Sequence, residues 1–370
     1  MGKRAIISIV SDQTIPNIEF IRTVGDENTE YFFITTDYCE KKSKVESIVK
    51  VCQLAQDSCT KISVDEKSYD DIIEKLCDLN TDKFTQILVN ATGGNKPMSL
   101  AVVDHFRDKK NTNVYYTDVS DRDYFINLFD PNDKISKSNY LDPIEYLKAY
   151  GFDVNSKEPE QKYIRFSQEL LEIYGQKRSD KDFMVAESLR INKFGDDEKK
   201  FLISLGFNKE DFNRKGKENI RKFANGSWFE YFCYGQMKDL AKDMNIQIGL
   251  SVLIYKQKGS ERLENDLDIA FTFKNQLYVF ECKYTLKDEV GGYTKMPDYI
   301  YKLIALNKQL GLTPRSILVT FDKASDLDNE SVEKHQTRMK ELDLYLMTRD
   351  DYAEESSLRN KLKEIMKLSK

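Results

Sequence analysis

The stretch ENDLDIAFTFKNQLYVFECKY, residues 264–284, predicts two adjacent strands joined by a turn at Lys274-Asn275. Alternate side chains of a strand share a face, so Glu281 and Lys283 are expected to project together. The first strand alternates in the same way, with a predicted apolar face of Leu267, Ile269, Phe271 and Phe273 opposite a predicted acidic face of Glu264, Asp266 and Asp268. Carboxylates gathered in this way suit Mg²⁺ or Mn²⁺, which prefer oxygen ligands.

Asp268 followed by Glu281-Cys282-Lys283 resembles the PD-(D/E)xK nuclease motif. The resemblance implies that Asp268 and Glu281 bind a divalent ion, which polarises the scissile phosphate and lowers the pKa of a bound water. Lys283 would orient that water or offset charge on the phosphate. The competing interpretation is a surface hairpin whose acids are only solvated, because charged residues make up 32% of the chain.

The order of the neighbouring elements favours the nuclease interpretation. The sequence predicts a helix beginning at residues 225–232, a strand at 247–255, the two motif strands, a helix at about 297–310 and a strand at 315–321. This αβββαβ order is that of the restriction-endonuclease-like PD-(D/E)xK core. A helix near 326–341, a strand at 342–347 and a helix at 350–367 are expected to extend the sheet and cover its edge.

Glu230, in the first turn of the predicted helix, has two interpretations that are compatible in part. Ser227 and Glu230 form a capping-box pattern, which would satisfy free backbone N–H groups. The helix before the motif strands of this nuclease fold often carries a glutamate at the metal site, so Glu230 is also a candidate ligand beside Asp268 and Glu281. Glu264 and Asp266 are supporting candidates only.

The composition restricts the possible classes of function. The 370 residues allow two or three domains, and the net charge of −5 argues against a generally basic nucleic-acid-binding surface. Only two histidines are present, His105 and His335, which argues against a zinc site or a histidine-based triad. The six cysteines form no CxxC pair and no apolar run is long enough to span a membrane, so we expect a reduced, soluble, cytoplasmic protein.

The N-terminal half alternates apolar strands with helices. Strands are predicted at 4–10, 31–36, 60–64, 84–91 and 113–117, with helices at 14–25, 43–57, 67–80 and 97–109. This alternation predicts a Rossmann-like, doubly wound open sheet with right-handed crossovers. Ligands of such sheets bind at the loops beyond the carboxyl ends of the strands.

Two loops of the predicted sheet lie at such ends, Ser11–Asn17 and Asn90–Pro97. Glycines allow the backbone to approach a ligand closely, and a helix N-terminus favours an anion. The candidate ligand-binding residues are Asp12, Gln13, Thr14, Thr92, Gly93, Gly94, Asn95 and Lys96. A tight βα turn is the alternative for the second loop, and Asp12 could instead cap the helix at 14–25. No Walker or GxGxxG pattern is present.

The middle of the chain is less informative. A short β excursion is predicted at 124–129, a helix at 143–150 and a charged linker at 152–162, whereas residues 163–223 are compatible with a helical or a winged-helix insert. The predicted domains are therefore 1–150, a linker and helical segment at 151–223, and 224–370.

The two halves together resemble the CARF-domain nucleases that accompany type III CRISPR systems. The residues that carry the resemblance are the SDQ…PN and ATGGNK loops and the motif at Asp268, Glu281 and Lys283. The resemblance implies a homodimer that senses a cyclic oligoadenylate, in particular cyclic tetra-adenylate, in a two-fold pocket. The related ribonucleases use an Arg-x₄₋₆-His motif, which neither His105 nor His335 completes, so we expect metal-dependent hydrolysis.

The resemblance implies a DNA substrate, with single-stranded RNA as a further candidate. Candidate phosphate contacts are Lys256, Lys258, Arg262, Lys287 and Lys295, although solvated surface charges are the alternative for each. Two other functions remain open. In one, the chain is a non-catalytic regulator whose residues 163–223 bind DNA, and in the other the N-terminal domain also degrades its activator.

Overall fold

The computed structural model describes residues 2–118, 123–138, 140–156, 158–175, 179–244, 246–258, 261–287, 295–311, 314–327, 330–352 and 354–367. Two sheets organise these residues. The N-terminal sheet has the strand order β3-β2-β1-β4-β5-β6-β7, and the C-terminal sheet has the order β13-β12-β11-β10-β9-β8. The predicted α/β fold class, with a Rossmann-like sheet followed by an αβββαβ core, is confirmed.

The N-terminal sheet contains five parallel strands and an antiparallel hairpin at one edge. The strands are β1 Arg4–Ile9, β2 Thr29–Thr35, β3 Cys59–Ser63, β4 Gln86–Asn90, β5 Thr112–Tyr116, β6 Tyr124–Asn127 and β7 Lys134–Ser136. The helices are α1 Ile15–Val24, α2 Asp37–Lys41, α3 Lys44–Cys52, α4 Tyr69–Cys77, α5 Lys96–Phe106 and α6 Pro143–Ala149. The single helix predicted at 43–57 is wrong in its bounds. Helix α3 ends at Cys52 instead, because Gln53 at its C-cap lies in the left-handed region with a φ of 54°.

A helical segment connects the two sheets. Its helices are α7 Gln161–Tyr174, α8 Asp180–Arg190, α9 Asp196–Ser204 and α10 Arg214–Lys222. The sequence is compatible with a helical or a winged-helix insert at residues 163–223, and the described residues of this segment form helices. Buried Phe166, Leu189 and Phe223 share one core with Phe280 and Cys282 of the C-terminal sheet, so this segment packs as part of the C-terminal unit.

The C-terminal unit contains the elements predicted for the nuclease core and, in addition, the edge strand β8. They are β8 Asp153–Asn155, α11 Trp228–Asp243, β9 Ile248–Lys258, β10 Glu261–Phe273, β11 Gln276–Lys283, α12 Met296–Asn307, β12 Arg315–Thr320, α13 Glu330–Glu341, β13 Leu344–Met347, α14 Arg349–Tyr352 and α15 Glu355–Met366. The linker predicted at 152–162 is partly wrong, since β8 adds an edge strand to β9. The helix predicted at 350–367 is divided into α14 and α15.

The predicted alternation along the first motif strand is broken at Asp268. Leu267 packs in the core shared with the N-terminal domain, whereas Ile269 and Phe271 pack in the core beneath α11. The β9–β10 ladder is continuous except at the position where Asp268 lies opposite Ser251. Ser251 has a left-handed φ of 46°. The distorted backbone reverses the faces of the strand, and this reversal separates Leu267 from the other three apolar residues.

One hydrophobic core joins the two domains. Ile18 of α1, Ile48 of α3 and Leu147 of α6 share a cluster with Val252 of β9 and Val279 of β11, and all five are fully or almost fully buried. Burial of each such side chain stabilises the folded state by about 1.5–3 kcal/mol. The N-terminal helices therefore pack directly on the sheet that carries the motif residues.

Candidate functional site

The motif carboxylates lie at the end of the β10–β11 ladder. Ile269 and Phe280 face each other across this antiparallel pair, so Asp268 and Glu281 are the next residues along the two strands. Both side chains are buried, with residue exposures of 7% and 3%. The strands thus hold two acids side by side in a part of the protein that excludes most water.

Lys283 lies between the two carboxylates. Its Nζ atom is 2.7 Å from Glu281 Oε1 and 3.4 Å from Asp268 Oδ2, and it also donates to the carbonyl oxygen of Cys282 at 3.1 Å. The Cys282 N–H donates to Asp268 Oδ2 at 2.7 Å. The acid and the lysine therefore project together, as the alternation of the second strand predicts.

Glu230 lies in the first turn of α11 and faces the same group of acids. Burial, followed by the charge of Asp268, raises the pKa of Glu230 to about 8. The capping-box interpretation is wrong, because Ser227 makes no side-chain cap hydrogen bond. A π-helical turn at Phe223–Ser227 continues α10 into α11, so the backbone N–H groups there are not free for capping.

Lys302 of α12 completes the ionic network and was not identified from the sequence. Its Nζ atom lies 2.8 Å from Glu281 Oε1 and 2.7 Å from Oε2. Burial alone would raise the pKa of Glu281, but Lys283 and Lys302 outweigh burial and the pKa is lowered. The sequence offers only a lysine on a predicted amphipathic helix, and nothing in the helical spacing indicates which acid it contacts.

The chemistry of these side chains fits a hard divalent cation. Burial, together with the neighbouring charge of Glu281, raises the pKa of Asp268 to about 6 although Lys283 opposes the shift. Desolvation also raises the pKa of Asp266, although this residue is exposed. A cation would stabilise the crowded, buried carboxylates of Asp268 and Glu281, and their oxygens are the ligands that Mg²⁺ and Mn²⁺ prefer. In the described ranges, no three His, Cys, Asp or Glu side chains are already grouped closely enough to hold a metal ion.

The other candidates around this site have different outcomes. Glu264 is exposed, as are Lys287 and Lys295 on either side of the 288–294 segment. Lys256 lies in a cleft at the domain junction instead. The side chains of Lys258 and Arg262 lie outside the described residues.

In the N-terminal domain, the Asn90–Pro97 loop packs tightly against β1. A Cβ atom on Gly93 would lie 2.2 Å from the carbonyl oxygen of Ile9, and Gly94 has a φ of 77°. Asn95 caps α5 by accepting a hydrogen bond from the Met98 N–H. The glycines are therefore required by the turn itself. The same turn leaves Gly94, Asn95 and Lys96 exposed at the N-terminus of α5, where a helix favours anions.

The Ser11–Asn17 loop places its three candidates differently. The Asp12 carboxylate accepts hydrogen bonds from Tyr38 and Lys42, at 2.6 and 3.3 Å, and does not cap α1. The capping alternative is wrong, because the N-cap of α1 is Thr14. Gln13 accepts a hydrogen bond from the Tyr150 hydroxyl at 2.6 Å. Thr14 is fully buried and its hydroxyl donates to the Ala149 carbonyl, so the structure does not bring it to the loop surface.

Asn17 and Asn90 connect the two loops, and the sequence pattern does not indicate a role for either residue. Asn90 Nδ2 donates to Asn17 Oδ1 at 2.8 Å, and Asn17 Nδ2 donates to the Ile9 carbonyl at 2.9 Å. Asn90 Oδ1 accepts from the Thr92 hydroxyl at 2.7 Å, and Thr92 Oγ1 in turn accepts from the Thr117 N–H. Both asparagines are buried. Their hydrogen bonds hold the two candidate loops in one arrangement.

All six cysteines are free, as the absence of a CxxC pair predicts. Among the residues that the structure describes, no helix is long and apolar enough to cross a membrane.

Comparison with known protein families finds two matches along the chain. Residues 5–146 match the Card1 CARF domain, and residues 217–368 match the Card1-like endonuclease domain. No curated protein sequence matches the chain.

Similar solved structures extend over almost the whole chain. Protein VC1899 from Vibrio cholerae has a TM-score of 0.71 and 18% identity, and 98% of each chain is covered. Can2 from Sulfobacillus thermosulfidooxidans, solved in complex with cyclic tetra-adenylate, has a TM-score of 0.68 and 21% identity, with 98% of this chain and 99% of that chain covered. At 18% and 21% sequence identity, the structural similarity establishes that this chain shares its two-domain fold with both proteins.

A third structure is similar over part of its length. It is a type III CRISPR defence DNA nuclease activated by cyclic oligoadenylate, with a TM-score of 0.53 and 14% identity. The match covers 87% of this chain but only 46% of that nuclease.

Proposed function

We propose that this chain, which joins a Card1 CARF domain to a Card1-like endonuclease domain, is a cyclic-oligoadenylate-activated, metal-dependent nuclease of type III CRISPR defence. The observation that carries the catalytic part is the convergence of Asp268, Glu281 and Lys283 at the end of the β10–β11 ladder. Buried carboxylates beside a lysine are the groups that phosphodiester hydrolysis with a divalent ion requires.

Asp268 and Glu281 would hold the ion, with Glu230 as a further ligand from α11. The bound Mg²⁺ or Mn²⁺ would supply a Lewis acid for the scissile phosphate and a water of lowered pKa. Lys283 already donates to both carboxylates, which positions its ammonium beside any phosphate held there. Its contribution is to orient the attacking water and to offset the negative charge that develops in the transition state.

The N-terminal domain would supply the regulatory part. Can2 was solved with cyclic tetra-adenylate, and this supports the same ring as the activator. The candidate contacts are the residues of the two loops that are at least partly exposed, namely Asp12, Gln13, Thr92, Gly94, Asn95 and Lys96. A symmetric ring is best bound by two equivalent copies of these loops, so we infer a homodimer. The cytoplasm, where CRISPR defence acts, is the expected location.

DNA is the proposed substrate, since the similar type III CRISPR nuclease acts on DNA. Single-stranded RNA remains a second substrate to be tested. Lys287 and Lys295 are exposed, follow the motif strand β11 in the sequence, and are candidate phosphate contacts. Lysine contacts of this kind would bind the phosphate backbone of the nucleic acid without preference for a base sequence.

The catalytic proposal is tested by replacing Glu281 with glutamine, which keeps the size of the side chain but removes its charge. We expect Glu281→Gln to reduce cleavage of plasmid DNA by at least about 100-fold, because the site loses a metal ligand and the partner of two lysines. Ring binding should be unchanged. Glu341→Gln, on the exposed surface of α13, is the matched control and should cleave normally. Full activity of Glu281→Gln would exclude the proposed site.

A further inference from the structure

A cavity of about 290 Å³ lies beside the candidate nuclease site. Its wall includes Ser251 and Leu253 of β9 and Asp266 of β10. Ser251 lies opposite Asp268 in the β9–β10 ladder, and Asp266 precedes Asp268 by two residues, about 7 Å along the strand. The charges of Asp266 and Asp268 both act on Glu230. The cavity is therefore close enough for a base to lie in it while a phosphate of the same nucleic acid strand lies at the motif.

Two tyrosines form an aromatic surface on another side of this cavity. Tyr163 of α7 and Tyr231 of α11 line it, and their ring centroids are 6.1 Å apart. Both rings also pack against Phe223, with centroids at 4.8 and 5.0 Å, and Tyr163 lies 5.2 Å from Phe207. Both phenylalanines are buried. The tyrosine rings are therefore held in place before a ligand arrives, and a nucleobase stacks well on aromatic faces of this kind.

Carboxylates supply the charged part of the lining. Glu158 and Glu160, in the segment between β8 and α7, line the cavity together with Asp266, and its described lining contains no lysine or arginine. Lys162 forms an ion pair with Glu160 at 2.9 Å but also with Asp211 at 2.7 Å, so it offsets only part of this charge. Such a lining repels a phosphate group, whereas the amino group of a base finds hydrogen-bond acceptors there.

We propose that this cavity is a base-binding subsite of the nuclease, in which an unpaired base stacks on the two tyrosines and donates its amino group to a carboxylate. This inference rests on the proposed function, because nucleic acid cleavage is what brings a strand to the motif. A paired base cannot leave the duplex without a cost in free energy, so the subsite favours single-stranded DNA. The cavity volume is near the lower end of the range for ligand pockets, which suits one base.

The same lining predicts which bases the subsite accepts. Cytosine, adenine and guanine carry an exocyclic amino group that donates to a carboxylate. Thymine and uracil have an oxygen at the position of the cytosine amino group, and carboxylate oxygens repel it. The subsite therefore discriminates between cytosine and uracil, which are of nearly equal size.

Fluorescence anisotropy with labelled oligodeoxycytidine and oligodeoxyuridine tests the subsite. The full-length protein is titrated in EDTA, which prevents metal-dependent cleavage, with and without cyclic tetra-adenylate. We expect the wild type to bind the cytidine oligomer about tenfold more tightly than the uridine oligomer.

Glutamine offers both a donor and an acceptor and can pair with either base, so the double variant Glu158→Gln/Glu160→Gln should lose most of this preference. Both glutamates are exposed, so the double variant is expected to fold. Tyr231→Leu should weaken binding of the cytidine oligomer about tenfold through the loss of stacking. Glu341→Gln, on the exposed surface of α13, is again the control and should keep the wild-type preference.

The outcomes separate this proposal from the proposed function. Equal binding of the two oligomers by the wild type, or an unchanged preference in the double variant, would overturn the subsite, and so would a wild type that binds neither oligomer. Cleavage of plasmid DNA in the presence of metal and ring tests the nuclease independently. Cleavage without a preference for cytidine would contradict the subsite alone, whereas a preference for cytidine without cleavage would contradict the proposed nuclease activity.

Discussion

Lys302 is the residue that most changes the electrostatics of the candidate site. It contacts both oxygens of Glu281, whose side chain is almost completely buried, while the lysine itself remains 45% exposed. Without it, the buried carboxylate would keep Lys283 as its partner and lose a charged hydrogen-bond donor. Lys302 therefore stabilises the negative charge of Glu281 before a metal ion is present.

Lys302→Met is expected to lower the melting temperature of the metal-free protein by a few degrees. The loss corresponds to about 1 kcal/mol, because exposure of the lysine weakens the pair through solvent screening. Mn²⁺ should then raise the melting temperature by more in the variant than in the wild type, because a cation restores the lost charge. Differential scanning fluorimetry in EDTA and in Mn²⁺ measures both effects, with Lys340→Met as the surface control. Identical melting of Lys302→Met and wild type in EDTA would contradict this role.

The hairpin that joins β10 and β11 is the element that links the candidate site to the N-terminal domain. Lys274 and Asn275 have φ values of 46° and 56°, the backbone of a tight two-residue turn. Asn275 Oδ1 accepts from the Leu141 N–H at 2.6 Å, and Asn275 Nδ2 donates to Glu19 of α1. Glu19 also forms an ion pair with Lys137 at 3.4 Å. The strands that carry Asp268 and Glu281 are thus fixed to the helix that follows the first candidate loop.

Two substitutions separate the backbone and side-chain contributions of Asn275. Asn275→Gly keeps the left-handed backbone but leaves the Leu141 N–H and Glu19 without this partner, so we expect a loss of about 2 kcal/mol in the free energy of unfolding. Asn275→Ala should lose about 1 kcal/mol more, because alanine is strained at positive φ. Urea denaturation of both variants measures the difference. Wild-type stability of Asn275→Gly would show that the buried contacts do not hold the hairpin.

At the scale of the whole molecule, the features that depend on local pattern were predictable. The alternating strands and helices of residues 4–117 predict the parallel sheet, and the strand periodicity at 277–283 places Glu281 and Lys283 on one face. The features that depend on tertiary contacts were not. The face reversal at Asp268 follows from the distorted backbone of Ser251 on a neighbouring strand, and Lys302 meets Glu281 only after α12 packs on the sheet.

The bounds of some elements also depended on the assembled fold. Residues 153–155 are polar enough to predict a linker, but they gain backbone hydrogen bonds by pairing with β9. Ser227 and Glu230 have the sequence of a capping box, but α10 continues into α11 and removes the need for a cap. In both cases a neighbouring element supplies the partner that the local sequence does not specify.

The proposed function requires that one chain couple a ring-nucleotide sensor to a metal-dependent nuclease. The most direct test of this coupling is a cleavage assay with plasmid and labelled single-stranded DNA and RNA, in Mn²⁺ or in EDTA, with and without cyclic tetra-adenylate. We predict cleavage only when both the metal and the ring are present, with EDTA abolishing it. Cleavage in EDTA, equal cleavage with and without the ring, or no cleavage under any of these conditions would contradict the proposed coupling.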